Sequence, residues 1–526
     1  MQSIKLLDCT LRDGGYVNNW HFGRSVLNDI VRKLLLSKTD VIECGYLSVS
    51  SSGNPDVARY SSIDDAHRVL SYTEEGGADF AVMINYGEYP IDLLQAAPPN
   101  APILRVAFHK KDLVPAFDYL KGLQSLGYRF YVQPMGAQNY SDDEFLDLVN
   151  SVNSLNAEAF YIVDSFGVME LKDVRRLLFV ADNNLKPGIM LGYHAHNNLQ
   201  QAYSNAKYMV EQNLDHNLII DASVFGMGRG AGNLNIELFA KYLNDNYGKS
   251  YHIEPYLEIF DECLKPIFVE NFWGYSLPFY LSSIHSCHPN YAKFFSEKNT
   301  LSVKSMNELL GMISDEDKVS FNKDKALKYY QVFQDNWIDD RADIKRLSDS
   351  ISGRSILILA PGKTISEKRD SIYEFIEQRN PVVIGVGRAS EAFNYDYLFI
   401  SNEKRLIEDK PKNIGRFIKT SNLHNNASHE ALVINYSSYL MGNDEVSDNP
   451  TLMLLNLLST LGVREVAIAG FDGFSANPED NYFSVGLSLG SKLSHKIERN
   501  RQITLALKDL KKKITLSFLT PSLYVQ

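Results

Sequence analysis

His194 and His196 sit two residues apart in the tract Gly192-Tyr193-His194-Ala195-His196-Asn197-Asn198, directly after the apolar run 188–193. In a strand, residues i and i+2 point to one side, so the two imidazoles face the same way. Roughly 180 residues earlier the chain reads Leu6-Leu7-Asp8-Cys9-Thr10-Leu11-Arg12-Asp13-Gly14-Gly15-Tyr16, an apolar run that turns polar and ends in two glycines. That is the pattern of a buried strand emptying into a loop. Two imidazoles on one face and a remote Asp13 form a donor set suited to a divalent metal. A lone Arg12-Asp13 pair would be read as an ordinary ion pair at a strand end. Beside a metal it gains a second meaning, because a permanently charged guanidinium can stabilise negative charge that develops on a substrate oxygen.

These residues need a scaffold that brings distant strand ends together. Short apolar runs recur at 4–9, 41–44, 80–84, 103–108, 129–132, 159–163, 189–193 and 218–222, each followed by a polar loop and then a segment of helical character such as 141–155 or 199–212. Eight β/α units in about 250 residues predict an α/β fold of the (β/α)8 TIM-barrel type, with chemistry at the C-terminal ends of the strands. The polar residues at those ends are Arg12-Asp13, Glu43, Arg105 with His109, Gln133, Asp164-Ser165, His194, His196 and Asp221. Glu43 could pair with Arg105 to orient it, and Asp221 could cap its loop. The loop Gly226-Met227-Gly228-Arg229-Gly230-Ala231-Gly232-Asn233 has a weak phosphate-cradling pattern. Its Asn233 is a neutral oxygen donor for a metal.

The 526 residues exceed one ordinary core and imply several domains. A composition of 44% hydrophobic and 22% charged residues is that of a globular protein. The formal net charge of -11 argues against nucleic acid as the main partner and leaves a small molecule as the default. No apolar stretch reaches transmembrane length, and the first residues carry neither a basic n-region nor an apolar h-region. Cys9, Cys44, Cys263 and Cys287 show no CxxC spacing and read as reduced thiols, so the expected location is the cytoplasm.

Together the motifs Thr10-Leu11-Arg12-Asp13-Gly14, Leu104–His109, Val163–Gly167, His194–Asn198, Asp221–Ser223 and Gly230–Asn233 resemble the family of metal-dependent TIM-barrel aldolases, lyases and acyl synthases. Within it the 4-hydroxy-2-oxovalerate aldolases are most similar, over residues 1 to about 290; the 3-hydroxy-3-methylglutaryl-coenzyme A (HMG-CoA) lyases and isopropylmalate synthases belong to the same group. The resemblance implies that Asp13, His194 and His196 hold a divalent ion, with Asn233 as a further ligand, and that Arg12 stabilises an enolate. Mn²⁺ is the expected ion, with Mg²⁺, Co²⁺ and Zn²⁺ as alternatives. A 2-oxo acid such as pyruvate can chelate a metal through its carboxylate and keto oxygens, which makes the adjacent carbon acidic.

One position departs from the family. Three residues after the metal-binding aspartate, where the hydroxy-oxovalerate aldolases place a histidine base, stands Tyr16. With an unperturbed pKa near 10, a tyrosine needs help from a cation to accept a proton at neutral pH. His21 in the same loop and His109 are the other candidates for the base.

Beyond about Pro266 the barrel pattern stops. Residues 273–291 are aromatic and broken by prolines, and resemble the helical extension by which the aldolase family sets a tyrosine over its active site, so Tyr275 or Tyr280 could reach the mouth. His285 and His288, i and i+3, are read as part of a packed helical subdomain in preference to a second metal site. Residues 301–347 read as charged helices of linker or oligomerisation character. From about Ser355 runs at 356–360, 382–386, 397–400, 432–435 and 466–470 predict a second, open Rossmann-like α/β sheet. The expected domains are therefore a catalytic barrel at 1–265, a helical extension and linker at 266–350, and a Rossmann-like domain at 351–526.

In this last domain Ala360-Pro361-Gly362-Lys363-Thr364 lacks the leading glycine of a nucleotide-triphosphate loop. With Gly470-Phe471-Asp472-Gly473 it loosely resembles turns of nucleotide-sugar-handling domains in bacterial surface-polysaccharide enzymes, which makes the Gly362-Lys363 turn a candidate phosphate site.

The leading expectation is a divalent-metal-dependent aldolase, a carbon–carbon lyase acting through the enolate of pyruvate or another 2-oxo acid, with an aldehyde or sugar-like acceptor. Surface-polysaccharide or modified-sugar synthesis is the expected setting. The alternatives are an acyl-transferring synthase of the same family and a non-catalytic metal-binding scaffold. The expected assembly, by analogy with the relatives, is a homodimer or larger, with no nucleic-acid or membrane partner.

Overall fold

The computed structural model describes residues 3–70, 77–406, 411–423, 431–443, 445–477, 480–484 and 493–525. The chain forms two compact units, Met1–Asn290 and Tyr291–Gln526, so the helical segment expected at 266–350 is divided between them.

In the first unit the strands are β1 (Ile4–Asp8), β2 (Val41–Leu47), β3 (Arg59–Tyr60), β4 (Asp79–Asn85), β5 (Ile103–Phe108), β6 (Phe130–Pro134), β7 (Ala159–Asp164), β8 (Met190–Ala195) and β9 (Leu218–Ala222). All pair in parallel in the order β1-β9-β8-β7-β6-β5-β4-β2-β3, and a further β1–β2 pairing closes eight of them into a barrel. The two-residue β3 is an addition on the edge of β2 that the sequence pattern did not predict. Alternation along each strand sorts the apolar residues into two layers. Leu7, Cys9, Val41, Ile103, Tyr161, Val163 and Ile219 fill the interior. Ile4, Leu6, Ile42, Leu104, Ile162 and Ile220 face outward under the helices. The helices start and stop on local signals. The helix expected at 141–155 runs Asp142–Val152, capped by Ser141, whose side chain accepts from the Glu144 N–H while Glu144 reaches back to the Ser141 N–H.

The second unit carries seven parallel strands, β10 (Ile356–Leu359), β11 (Val382–Val386), β12 (Tyr395–Ile400), β13 (Ile414–Thr420), β14 (Ala431–Ile434), β15 (Glu465–Ala469) and β16 (Thr515–Phe518), in the order β14-β13-β12-β11-β10-β15-β16. Ile356 and Ile358 enter one core, Leu357 and Leu359 the other, so apolar layers cover both faces as in a doubly wound sheet. β13 and β16 are additions to the expected set. Gly415, Arg416 and Lys419 interrupt the apolar pattern of the first, and the second is a half-exposed edge.

Asp8 ends β1 and shapes the loop that follows, accepting from the Thr10 N–H at 3.0 Å and the Thr10 hydroxyl at 2.7 Å. Burial pushes its pKa up to about 7, against the opposing pull of Thr10. In the unfolded chain it would titrate near 3.9, so between roughly pH 4 and 7 the unfolded state releases a proton that the folded state keeps. This group's contribution to stability therefore falls as pH rises through that window. Asp8→Asn should gain stability relative to the unmodified metal-free protein between pH 4 and pH 8, by a few kcal/mol at ~1.4 kcal/mol per pKa unit. Urea unfolding across this range checks it; a difference that does not vary with pH would refute the assignment.

Candidate metal centre

Each charged residue inside the barrel stands two positions after an apolar one that faces the same way: Glu43 after Val41, Arg105 after Ile103, Asp221 after Ile219. This period places a charged layer above the apolar one, towards the C-terminal strand ends. Arg105 is completely buried. Its Nη1 lies 2.6 Å from Glu43 Oε2 and its Nη2 donates to Asp221. Turned with its oxygen towards Arg105, the Gln133 amide accepts from Nε at 2.7 Å. Glu43 Oε2 also accepts from Arg12 Nε at 2.7 Å, and Asp221 accepts from the Tyr161 hydroxyl at 3.0 Å. Glu43 thus joins the two arginines, and Asp221 does more than cap its loop.

Above this layer Asp13, His194 and His196 converge, their ligand atoms all within 4.8 Å of one another. Asp13 Oδ2 is 3.6 Å from His194 Nε2 and 3.7 Å from His196 Nε2. Two atoms each about 2.1 Å from one ion can be at most about 4.2 Å apart, so both separations fit a shared cation. His194 Nδ1 donates to Asp221 Oδ2 at 3.0 Å, which turns Nε2 towards Asp13. Asn233 is held by its own backbone N–H on Gly226 O at 2.9 Å and by its Nδ2 on Met227 O at 3.0 Å. Its Oδ1 is left buried and unpartnered among the described residues. A Cβ on Gly228 would come within 2.3 Å of Asn233 Nδ2 and 3.0 Å of Asp13 Oδ1, so only a glycine leaves this cradle open. The donor set of two imidazoles, a carboxylate and an idle amide oxygen fits a divalent transition metal.

Loops lock the cradle. Asn198 donates to Phe166 O at 2.9 Å and accepts from the Ala231 N–H at 2.7 Å, tying together the segments after β7, β8 and β9. Gly167, with φ of 62°, lies against the backbone of His196 and Asn198, where a Cβ would approach to 2.6 Å. Asp164 accepts from the Val168 and Met169 N–H groups and closes its own loop.

Burial disfavours the Asp13 carboxylate, but His196 and Arg12 outweigh it and hold the group well below the usual carboxylate range. Burial likewise opposes a charged His194, yet its bonds to Asp13 and Asp221 raise its pKa. Burial pushes His196 down to about 3, so that ring is neutral. A cation in the cradle would take the place of the His194 proton.

Arg12 is buried, donates to Glu43 and Asp13, and keeps Nη2 buried without a partner among the described residues. The Tyr16 hydroxyl pairs with the Tyr46 hydroxyl at 2.9 Å, and the Arg229 guanidinium lies 5.5 Å from the Tyr16 ring centre. His109 is half-buried at the end of β5, and burial followed by Lys111 lowers its pKa. His21 faces solvent with its backbone paired to Val57, so the structure does not gather it with the others. Tyr275 is 56% exposed, with its ring centre 6.5 Å from that of Tyr280.

The helical segment supplies His288, whose Nε2 is 3.3 Å from Arg229 Nη1. Burial, then Arg229 and His196, hold its pKa well below the usual imidazole range. Arg229 donates to Ser165 O at 2.8 Å, and its Nε is buried without a partner among the described residues. Arg229 and His288 were missed as site residues. The glycines on both sides of Arg229 were the available signal, since they bend its loop back over Asp13.

The HMGL-like family model matches residues 3–254. A 4-hydroxy-2-oxovalerate aldolase of Bacillus thuringiensis (strain Al Hakam) is 26% identical over 272 residues, covering 50% of this chain and 76% of that protein. Among solved structures, the HMG-CoA lyase of Brucella melitensis is 16% identical over 51% of this chain and 100% of its own, with a TM-score of 0.41. Rhizobium etli pyruvate carboxylase T882A is 11% identical over 66% of this chain and 34% of its own, with a TM-score of 0.50. Residues 3–254 are thus a barrel of the TIM-barrel aldolase and lyase family.

Asp221→Asn should weaken metal binding about 10- to 100-fold by loosening the hold on His194, and Gly228→Ala should weaken it by closing the cradle. Calorimetric titration of Mn²⁺ into each folded variant measures this; affinities equal to that of the unmodified protein would remove these roles.

Proposed function

We propose that the HMGL-like barrel is a divalent-metal-dependent carbon–carbon lyase that makes or breaks a bond through the enolate of pyruvate or another 2-oxo acid. The carrying observation is Arg12 Nη2, a buried and unpartnered cationic donor beside the convergent Asp13, His194 and His196. Asp13, His194 and His196 would hold the ion with Asn233 beside them, and Mn²⁺ suits this mixed nitrogen and oxygen set, as do Co²⁺, Zn²⁺ and Mg²⁺. The ion supplies Lewis acidity to the substrate's oxygens when bound.

The chain's own groups divide the remaining work. Arg12 is fixed by Glu43 and Asp13, so its free Nη2 is preorganised for negative charge on the keto oxygen and costs little reorganisation. Arg229 offers a second guanidinium to an anionic part of the substrates, with no carboxylate ion-paired to it among the described residues. Burial, then Tyr16 beside it, keep Tyr46 protonated, so Tyr46 can serve as the donor in its pair with Tyr16. The Tyr16 hydroxyl proton is then free to move between the phenol and the substrate carbon or its leaving oxygen. In the cleavage direction the second product would be an aldehyde, and a sugar-like aldehyde is the acceptor this reading assigns to synthesis.

Incubation of the Mn²⁺-loaded protein with pyruvate in heavy water tests the reading without the second substrate. Deuterium should enter the methyl group only with metal present. Arg12→Ala should slow exchange at least about 100-fold with metal retained, and Tyr16→Phe at least about tenfold. Absence of exchange with metal bound would overturn the pyruvate assignment. Full exchange in Tyr16→Phe would move proton transfer to His109 or His288.

A further inference from the structure

The order of the second sheet reverses at β10: the chain goes from β10 to β11 on one side and returns to β15 on the other. In open α/β sheets the crevice outside the carboxyl ends of two such strands is where ligands bind. Here the crevice is a cavity of about 180 Å³. A single water needs about 10–15 Å³ by this measure, so there is room for a molecule of a dozen or more atoms and not merely an ion.

In the turn expected to hold phosphate, several donors already have partners within the protein. Gly362 N donates to Gly470 O at 2.8 Å, and Thr364 donates to Asp472 from its N–H at 2.9 Å and from its hydroxyl. Lys363 is paired with Asp480 at 2.6 Å. The two turns are locked to each other, and a Cβ on Gly362 would strike Gly470 O at 2.3 Å. The donors of Gly362, Lys363 and Thr364 named above are thus engaged within the protein.

The cations across the cavity differ. Lys496 is 5% exposed, and its ammonium donates to the Ser475 carbonyl at 3.2 Å. Arg499 donates to the Glu297 carbonyl at 2.7 Å. No carboxylate is ion-paired to either among the described residues. Arg405 is half-buried beside Tyr482, 5.7 Å from its ring centre. The carboxylates that line the cavity are engaged elsewhere: Asp472 by Thr364, Asp448 by the Tyr330 hydroxyl at 2.7 Å, and Glu445 by Lys323 at 3.4 Å. A buried ammonium whose partner among the described residues is a neutral carbonyl is costly unless an anion completes it. Aromatic rings also line the cavity, with those of Phe471 and Tyr524 4.7 Å apart.

We infer that this crevice binds an organic diphosphate with a ring attached, of the nucleoside diphosphate class, its phosphates on Arg405, Lys496 and Arg499 and its ring against the aromatic residues. Neither the barrel's family nor its proposed chemistry assigns this site.

Isothermal titration of the full chain with UDP, ADP, GDP, CDP and pyrophosphate tests it. At least one nucleoside diphosphate should bind saturably at micromolar to submillimolar concentration and more tightly than pyrophosphate. Arg405→Gln and Lys496→Gln should each weaken it about tenfold or more. Arg405 is half-exposed, so its variant keeps the test valid should the buried Lys496 variant fail to fold. Three results would overturn the inference: no saturable binding of any probe at 1 mM, pyrophosphate binding as well as every nucleotide, or unchanged affinity in folded Arg405→Gln.

Discussion

The first unit depends on the neutralisation of Arg105 inside the barrel. A guanidinium removed from water is tolerated only with charge and hydrogen bonds around it. Glu43, Asp221 and Gln133 supply both. The same two carboxylates have a second lone pair or oxygen to give, and they spend it upwards: Glu43 on Arg12, Asp221 on His194. The interaction that stabilises the interior thereby sets the rotamers of the residues above it. Losing either carboxylate would strand a buried arginine, at a cost of roughly 3–5 kcal/mol, as well as freeing a site residue. Structural and chemical roles cannot be separated here, because a single layer of side chains performs both.

Legibility in the sequence followed from how local each signal was. Parallel strands buried on both faces leave continuous apolar runs, so the eight barrel strands could be read. The i, i+2 spacing of His194 and His196 survives folding unchanged, and so their common orientation could be read too. The partners of Glu43 and Asp221 come from strands far apart in the chain, and nothing local reveals that both meet at Arg105. Arg229 and His288 were hidden for the same reason: one sits in a glycine-rich loop and the other in a segment whose aromatic pattern pointed to Tyr275. In the second unit β13 and β16 escaped because charged residues and an exposed edge erase the apolar run. At the Gly362-Lys363 turn the sequence shows the residue types but not their partners. The turn's glycine serves close approach to Gly470, and Thr364 donates to Asp472.

The two units handle buried charge differently. In the barrel the two fully buried guanidiniums, Arg12 and Arg105, meet carboxylates, and the atoms left buried without a partner among the described residues include one donor on Arg12, one on Arg229 and one oxygen on Asn233. In the crevice of the second sheet the carboxylates are drawn off by neutral donors and a surface lysine, while Lys496 and Arg499 are left to backbone carbonyls. The first pattern is a site with a few aimed contacts, the second a cavity whose cations Lys496 and Arg499 have no carboxylate ion-paired to them among the described residues, and each suits the ligand proposed for it.

Charge counting ties the barrel's parts together. Arg12 and Arg105 carry two positive charges, and Asp13, Glu43 and Asp221 three negative ones; Asp8, pushed up to about 7, stays largely protonated at lower pH. A proton on His194, favoured by the bonds to Asp13 and Asp221 that raise its pKa, would make up the missing charge. A divalent ion in place of that proton would leave one positive charge in excess, and the carboxylate of a 2-oxo acid would cancel it. In the proposed reaction the negative charge growing on the keto oxygen would add to this set, and Arg229, whose backbone N–H donates to Asp13 and whose guanidinium is unpaired with any carboxylate among the described residues, would be the further cation available to balance it. On this count Arg12 would supply the aimed hydrogen bond and Arg229 the balancing charge, so that in the proposed reaction the loop carrying Arg229 and Asn233 would take part as fully as the strand ends that face it.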